Sequence, residues 1–412
     1  MHGGGLALVF SSVSFLFFFL TVVIALYFIV PGRFRGGRNF VLLAASLFFY
    51  ACAGLRALPL LLFSVLLDWG AGLLLPRVRR RKALLAAAVT LHLALLFWFK
   101  YAGFAAGVFG IPLPEITLPI GISFFTFQGL SYVVDVYRGD AEAQPSYLNV
   151  LLYASLFHQC VAGPIVRYKT IAHELFVQRD SRDLLSGISR FTVGLAKKTL
   201  LANPCGALAD QLLLSTDAAS NASLFAENLS TLSGLSALGA WVGVAAFMMQ
   251  IYLDFSAYSD MAIGMGRMLG LHYLENFDYP YLSKTVTEFW RRWHISLGTF
   301  FRDYVYIPLG GRQCSKARSV LNLFIVWALT GLWHGAHWNF VLWGLYFFVF
   351  ILIERLFLKR LFAKLHILPH IYLLFVVFVG WILFHFTDVR LGWTVFLGLF
   401  GANGNAASDL CR

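Results

Sequence analysis

Long apolar runs, separated by short polar, basic or glycine-containing stretches, recur along almost the whole chain. A helix needs about 20 apolar residues to cross the hydrocarbon core of a bilayer. By that test the pattern predicts spans at about 6–30, 39–53, 57–75, 83–109, 147–166, 233–253, 320–333, 338–358 and 370–387. The runs 117–137, 186–214 and 392–403 are shorter or more interrupted, and fit short spans, re-entrant segments or helices lying in the interface. The first run is too long for the apolar part of a signal peptide and has no basic stretch ahead of it, so it reads as the first span. With no internal repeat and no linker, the expectation is an all-α, polytopic transmembrane bundle of about ten or more helices, a single membrane domain over 1–412.

Composition sharpens this reading. Hydrophobic residues make up 59% of the chain and charged residues 13%, against roughly 25% charge in a soluble domain. The net charge of +12 does not point to nucleic acid, because the basic residues sit in loops between apolar runs. There they set topology and meet anionic lipid headgroups. Arg33, Arg35 and Arg38 follow the first span, and Arg77, Arg79, Arg80, Arg81 and Lys82 follow the third. Both loops are expected in the cytoplasm, with the N-terminus outside. The later block Arg291, Arg292, Arg302, Arg312, Lys316 and Arg318 is expected on the cytoplasmic side as well. The five cysteines are scattered without a CxxC pair, which argues against a disulfide framework or zinc site. The stretch 215–232 reads as a polar loop whose triplets 221–223 and 228–230 match the N-glycosylation pattern, and 401–412 reads as a polar, frayed tail.

Two histidines stand out. In Glu288-Phe-Trp-Arg-Arg-Trp-His294, a helical reading puts Trp290 one turn before His294 and Arg291 three residues before it. The neighbouring cation and partial burial favour a neutral imidazole, the form a general base needs. His334 lies inside the apolar stretch Leu329-Thr-Gly-Leu-Trp-His334-Gly-Ala-His337-Trp-Asn339, where an ionisable residue points to function. Sixteen helical residues from Arg318 to His334 rise about 24 Å, placing His294 near the cytoplasmic surface and His334 deeper, unless the chain folds back. Each histidine can equally serve a hydrogen bond within the bundle. His334 and His337 are three apart, but no HExxH pattern or nearby carboxylate accompanies them, so no metal is expected. Asp254, Tyr258 and Asp260 read as hydrogen-bonding groups on one helix, as do Asp68, Asp135 and Gln128 on theirs; Pro164 should break or kink its helix, and Gly310-Gly311 should turn.

In this order the chain's motifs resemble the membrane-bound O-acyltransferase family, of the bacterial alginate O-acetylase type. They are Val9-Phe-Ser-Ser12, Pro119-Ile-Gly-Ile-Ser-Phe-Phe-Thr-Phe-Gln128, Ala162-Gly-Pro-Ile-Val-Arg167, Asp254-Phe-Ser-Ala-Tyr-Ser-Asp260, Phe289-Trp-Arg-Arg-Trp-His294, Phe301-Arg-Asp-Tyr-Val-Tyr-Ile-Pro-Leu-Gly-Gly311 and Gly331-Leu-Trp-His-Gly335. The resemblance implies a helical bundle around a central thinned region crossed by a passage. It implies His334 at the family's invariant histidine and His294 at its second polar position. It implies acyl transfer, here acetyl, from a cytoplasmic thioester (acetyl-CoA or an acyl carrier protein) to hydroxyls of an extracellular polysaccharide. A periplasmic esterase-like acetyltransferase often finishes such a transfer, and the setting is the bacterial inner membrane. No cofactor is expected to reside in the protein. Trp290, Arg291, Arg292, Trp293, Trp333 and Asp303 are the candidate substrate- and donor-binding residues, with Trp338 beside Trp333 at the acyl pocket. The chain departs from the subfamily at its C-terminal end, where more membrane helix is expected after 392–400, and at His158 and Cys160. D-alanyl transfer from a carrier protein is the alternative within the enzyme class. A polysaccharide or lipid transporter is the alternative outside it, and the absence of paired pseudo-repeats argues against that.

Overall fold

The computed structural model describes residues 9–114, 116–160, 163–176, 183–214, 222–362 and 364–403. In chain order the helices are α1 (Ser14–Ile29), α2 (Arg35–Gly54), α3 (Leu58–Leu74), α4 (Arg81–Lys100), α5 (Ala102–Val108), α6 (Ile122–Arg138), α7 (Tyr147–Ser155), α8 (Tyr168–Phe176) and α9 (Leu184–Ala196). There follow α10 (Asn203–Leu213), α11 (Ala222–Ser233), α12 (Ala237–Met268), α13 (Val286–Arg292), α14 (Ile295–Phe301), α15 (Lys316–His334), α16 (Trp338–Ile353), α17 (Lys359–Phe362), α18 (Leu368–His385) and α19 (Val389–Gly398). No β-strand occurs among the described residues.

Five helical segments are long and apolar enough to cross a membrane: Arg35–Leu74, Arg81–Lys100, Ala237–Met268, Trp338–Leu358 and Leu368–His385. Their outer faces carry bare apolar side chains. On α4, Leu91, Leu93, Phe97 and Trp98 are all exposed. Such a stripe is intolerable in water and ordinary against lipid.

The chain divides into two compact units, Met1–Leu195 with Ala257–Asn276, and Ala196–Ser256 with Phe277–Arg412. In the first, α6 packs on α3 and α4, and α7 on α2 and α3. The backbone of α9 lies directly against 257–268, because a Cβ at Gly187 would meet the Gly264 carbonyl at 2.7 Å and one at Gly194 the Ala257 carbonyl at 2.8 Å. Three carboxylates of this unit have cationic or imidazole partners, whereas the side-chain amide of buried Gln128, expected to hydrogen-bond within the bundle, meets no partner among the described residues. Asp68 meets His92 at 2.7 Å, Asp135 meets Lys169 at 3.5 Å and Asp260 meets Arg190 at 2.6 Å.

The second unit is built round the hairpin of α15 and α16, with α18 packed on α16 and α19 on α18 and α11. Its core is aromatic: Phe289, Trp293, Trp327, Trp343, Phe347 and Trp381 are buried together. The hairpin depends on two glycines. A Cβ at Gly331 would meet the Phe340 carbonyl oxygen at 2.3 Å, and one at Gly344 the Trp327 carbonyl oxygen at 2.4 Å. In this unit Asp254 pairs with Lys198 at 2.8 Å and accepts from Gln250 at 3.2 Å.

The pattern misplaced three features. The span predicted at 147–166 is helical only to Ser155; Leu156 through Cys160 turn within a buried region, and Pro164 lies beyond the helix rather than kinking it. The polar loop expected at 215–232 is helix α11 from Ala222 onward, and Asn228 is buried on it, which removes that triplet as a glycan acceptor. Its companion Asn221, and most of the predicted tail, lie outside the described residues. Gly310 and Gly311 do turn, both with positive φ (105° and 54°).

Gly331→Ala and Gly344→Ala should each destabilise the detergent-solubilised protein by about 1–3 kcal/mol through overpacking. Gly70→Ala, where a Cβ would have nothing within 4 Å, should be neutral or stabilising by ~1 kcal/mol or less. Denaturant unfolding followed by tryptophan fluorescence measures all three.

Candidate active site

The local sequence around His294 does not make one helix. α13 ends at Arg292, Trp293 is extended (φ −104°, ψ 127°), and His294 sits in the left-handed region (φ 45°, ψ 54°) as the residue that starts α14. The expectation that Trp290 and His294 share a helical face is therefore wrong: they lie on either side of a break. A non-glycine residue held there costs roughly 1–2 kcal/mol, and such strain clusters at functional sites. The break is held by Trp293 N–H donating to the Phe289 carbonyl at 2.8 Å, Gly298 N–H to the His294 carbonyl at 3.1 Å and Asp278 N–H to the Arg292 carbonyl at 2.9 Å.

His294 is 2% exposed. Its ring lies edge-on to Phe255 at 4.7 Å and to Trp333 at 5.6 Å, and its Nδ1 is 3.3 Å from the Ser296 hydroxyl. Burial pushes the imidazole pKa down to about 3, so the ring is neutral at physiological pH. Desolvation is the cause, which bears out the burial named from the sequence but not the Arg291 cation named beside it.

His334 closes the C-terminal end of α15. It is half-buried among rings, with Trp333 at 4.8 Å, Trp343 at 4.9 Å and Phe384 at 5.1 Å. Gly335 follows because a Cβ there would meet the Phe340 ring at 2.4 Å. Buried Asn339 secures this corner, donating to the carbonyls of Leu383 (3.2 Å) and Phe384 (3.3 Å).

Both imidazoles line one pocket of about 750 Å³ inside the second unit. Leu323, Val326, Trp327, Thr330 and His334 give it one face of α15. That stripe covers eleven residues of rise, roughly 16 Å at 1.5 Å per residue. The cleft therefore runs along α15, from the turn Gly310–Gln313 ahead of that helix to His334 at its end. The separation expected between a shallow His294 and a deep His334 does not hold them apart, because the broken α13–α14 segment brings His294 to the same cavity. Trp290, Arg291 and Trp293 also line it.

Other candidates fall elsewhere. Trp333 touches both imidazole rings without forming pocket wall. Arg292 is outside the wall and paired with Glu288 at 2.9 Å; Asp303, also outside it, is bound to Arg302 at 2.7 Å. Trp338 is 56% exposed, and His337 is exposed. The wall adds residues that the motif reading did not single out for the site, above all Arg355, Tyr306 and Thr330. Four arginines (Arg291, Arg302, Arg312 and Arg355) line the cavity, with no carboxylate among its lining residues. No cluster of three metal-ligating side chains occurs among the described residues.

Such a site can take an anionic ligand at the arginines and offer it a neutral imidazole in a dry, aromatic setting. The family model described as membrane-bound O-acyltransferase matches residues 89–396, which include the whole pocket. The chain is 36% identical to a probable alginate O-acetylase of Pseudomonas aeruginosa, over 98% of this chain and 77% of that protein. It is 35% identical to a probable alginate O-acetylase of Azotobacter vinelandii, over 98% and 80%. It is 30% identical to a peptidoglycan O-acetyltransferase of Helicobacter pylori, over 98% and 82%. The similarity extends across nearly all of this apolar helical chain, the pocket included: it is an acyltransferase belonging to the membrane-bound O-acyltransferase family.

Proposed function

We propose that the pocket transfers an acetyl group from acetyl-CoA, entering from the cytoplasm, to a hydroxyl of an extracytoplasmic polysaccharide, directly or through a periplasmic esterase-like partner, in a bacterial inner membrane. The observation that carries this reading is the convergence of His294, His334 and four arginines on one cavity. The relatives named as acetylases of alginate and peptidoglycan support a polysaccharide acceptor.

His334 is the general base. It takes the proton of the acceptor hydroxyl as that oxygen attacks the thioester carbonyl carbon. The C–S bond then breaks, and the leaving thiolate recovers the proton from the imidazolium. Base assistance of this kind is worth about 10²–10⁴ in rate. Neutral His294 still carries one N–H, which it offers to the carbonyl oxygen as negative charge develops; a donor so placed contributes about 3 kcal/mol. The arginines bind the phosphates of the donor. Arg291, Arg312 and Arg355, with Arg302 already paired to Asp303, favour the highly charged nucleotide of coenzyme A over a carrier protein's single phosphodiester.

His334→Ala should lower acetyl transfer by at least about 10²-fold while the protein remains in the membrane; wild-type rates in vesicles supplied with radiolabelled acetyl-CoA and polymer contradict the assignment. A transporter would move polymer without labelling it. Arg312→Gln with Arg355→Gln should raise KM for acetyl-CoA about tenfold or more, with a smaller change in kcat; an unchanged KM removes the nucleotide from this wall. His294 should also shape acid stability. Its folded pKa lies below the ordinary value of 6.5, so the folded state binds fewer protons than the unfolded one as pH falls below that value. The stability this neutral form contributes is complete above pH 6.5 and is lost as pH falls toward 3. The fall in Tm between pH 6.5 and 4 should be shallower in His294→Asn than in wild type.

A further inference from the structure

We propose that Glu354 is a positioning residue for the reaction, holding the histidine-bearing break in register with the pocket from the opposite helix. The inference rests on the acetyl-transfer reading given above.

Glu354 is a carboxylate inside the apolar segment Trp338–Leu358, 5% exposed. An ionisable group at such a position is costly and calls for a partner. Among the described residues no cation lies within salt-bridge distance of it; instead its oxygens accept from the Val286 N–H (2.6 Å), the Thr287 N–H (3.3 Å) and the Thr287 hydroxyl (3.4 Å). These are the first two amides of α13. The third, Glu288 N–H, donates to the Thr285 hydroxyl at 3.0 Å, and the first amide with a partner in the helix direction, Phe289 N–H, reaches the Thr285 carbonyl at 2.9 Å. Every amide of the opening turn is thus satisfied, two of them by one residue 67–68 positions away.

The geometry gives this contact a job beyond capping. α13 is only seven residues long, too short to hold itself. It carries Trp290 and Arg291 into the pocket wall and ends at the break that presents His294. The tether leaves from the π-helical turn Glu354–Leu358, whose next residue, Arg355, is itself pocket wall. One turn of the α16 continuation therefore places a wall cation and fixes the N-terminal end of the segment leading to His294. Glu354 touches no reacting atom; it acts through the position of α13.

The test compares Glu354→Ala and the isosteric Glu354→Gln with wild type, per folded molecule in detergent or nanodiscs. Glu354→Ala should lower kcat about 10- to 100-fold, the cost of misplacing a catalytic group by about 1 Å, with KM for acetyl-CoA changed less than about threefold. Glu354→Gln keeps one acceptor oxygen for Val286 N–H and should recover part of the loss. Hydrogen exchange of the peptide 284–294 should be faster in both variants. Wild-type kcat in the folded fraction of either variant, a loss confined to KM or to the amount of folded protein, or unchanged exchange over 284–294 overturns the inference. Absence of acetyl transfer by wild type would instead overturn the reading beneath it, and the exchange measurement would still report on the tether.

Discussion

Everything at this site follows from the cost of charge and unpaired backbone where water is scarce. Among the spanning helices, backbone amides pair within their own helix. The pocket is made where that economy is broken: α13 and α14 are short, meet at a left-handed histidine, and expose amides and carbonyls that something else must satisfy. Thr285, Glu354 and Asp278 do so from outside the helices. The same scarcity keeps His294 neutral, which makes an imidazole useful as a hydrogen-bond donor rather than an ion seeking a counter-charge.

The walls divide the labour by chemistry. Aromatic rings surround the imidazoles and shape a slot along α15, while arginines supply the positive field. No carboxylate lies on the wall itself; Arg302 is answered by Asp303 from outside it, which leaves Arg291, Arg312 and Arg355 as the cations that the proposed donor would meet. The glycines at 331, 335 and 344 belong to the same design, since each lets a backbone or ring approach so closely that His334 is pinned at the end of its helix.

Much of this was legible beforehand because bilayer thickness imposes a length on every span; the apolar runs at 39–53, 57–75, 338–358 and 370–387 became helices close to their predicted bounds. His294 and His334 were legible as ionisable groups in apolar surroundings and by family resemblance. The break at Trp293–His294 was not, because WRRWH has good helical periodicity and nothing local forbids its continuation; one of the contacts that hold it, Asp278 N–H to the Arg292 carbonyl, comes from outside the segment. Glu354 reads in sequence as a stray acid at the end of a span, and its partners, Val286 and Thr287, are too distant along the chain to suggest it. Asn228 shows the converse, a match to a surface motif on a residue that tertiary packing buries.

The central claim is that residues 294 and 334 face one cavity that the acyl donor also enters. The most direct test places cysteine at both positions in a background lacking Cys52, Cys160, Cys205, Cys314 and Cys411, and treats membranes with a bifunctional thiol reagent whose reach is about that of one indole ring. The account predicts an intramolecular bridge between the two positions, suppressed by acetyl-CoA. Two thiols that each accept a monofunctional label but are never bridged, with or without donor, would contradict it.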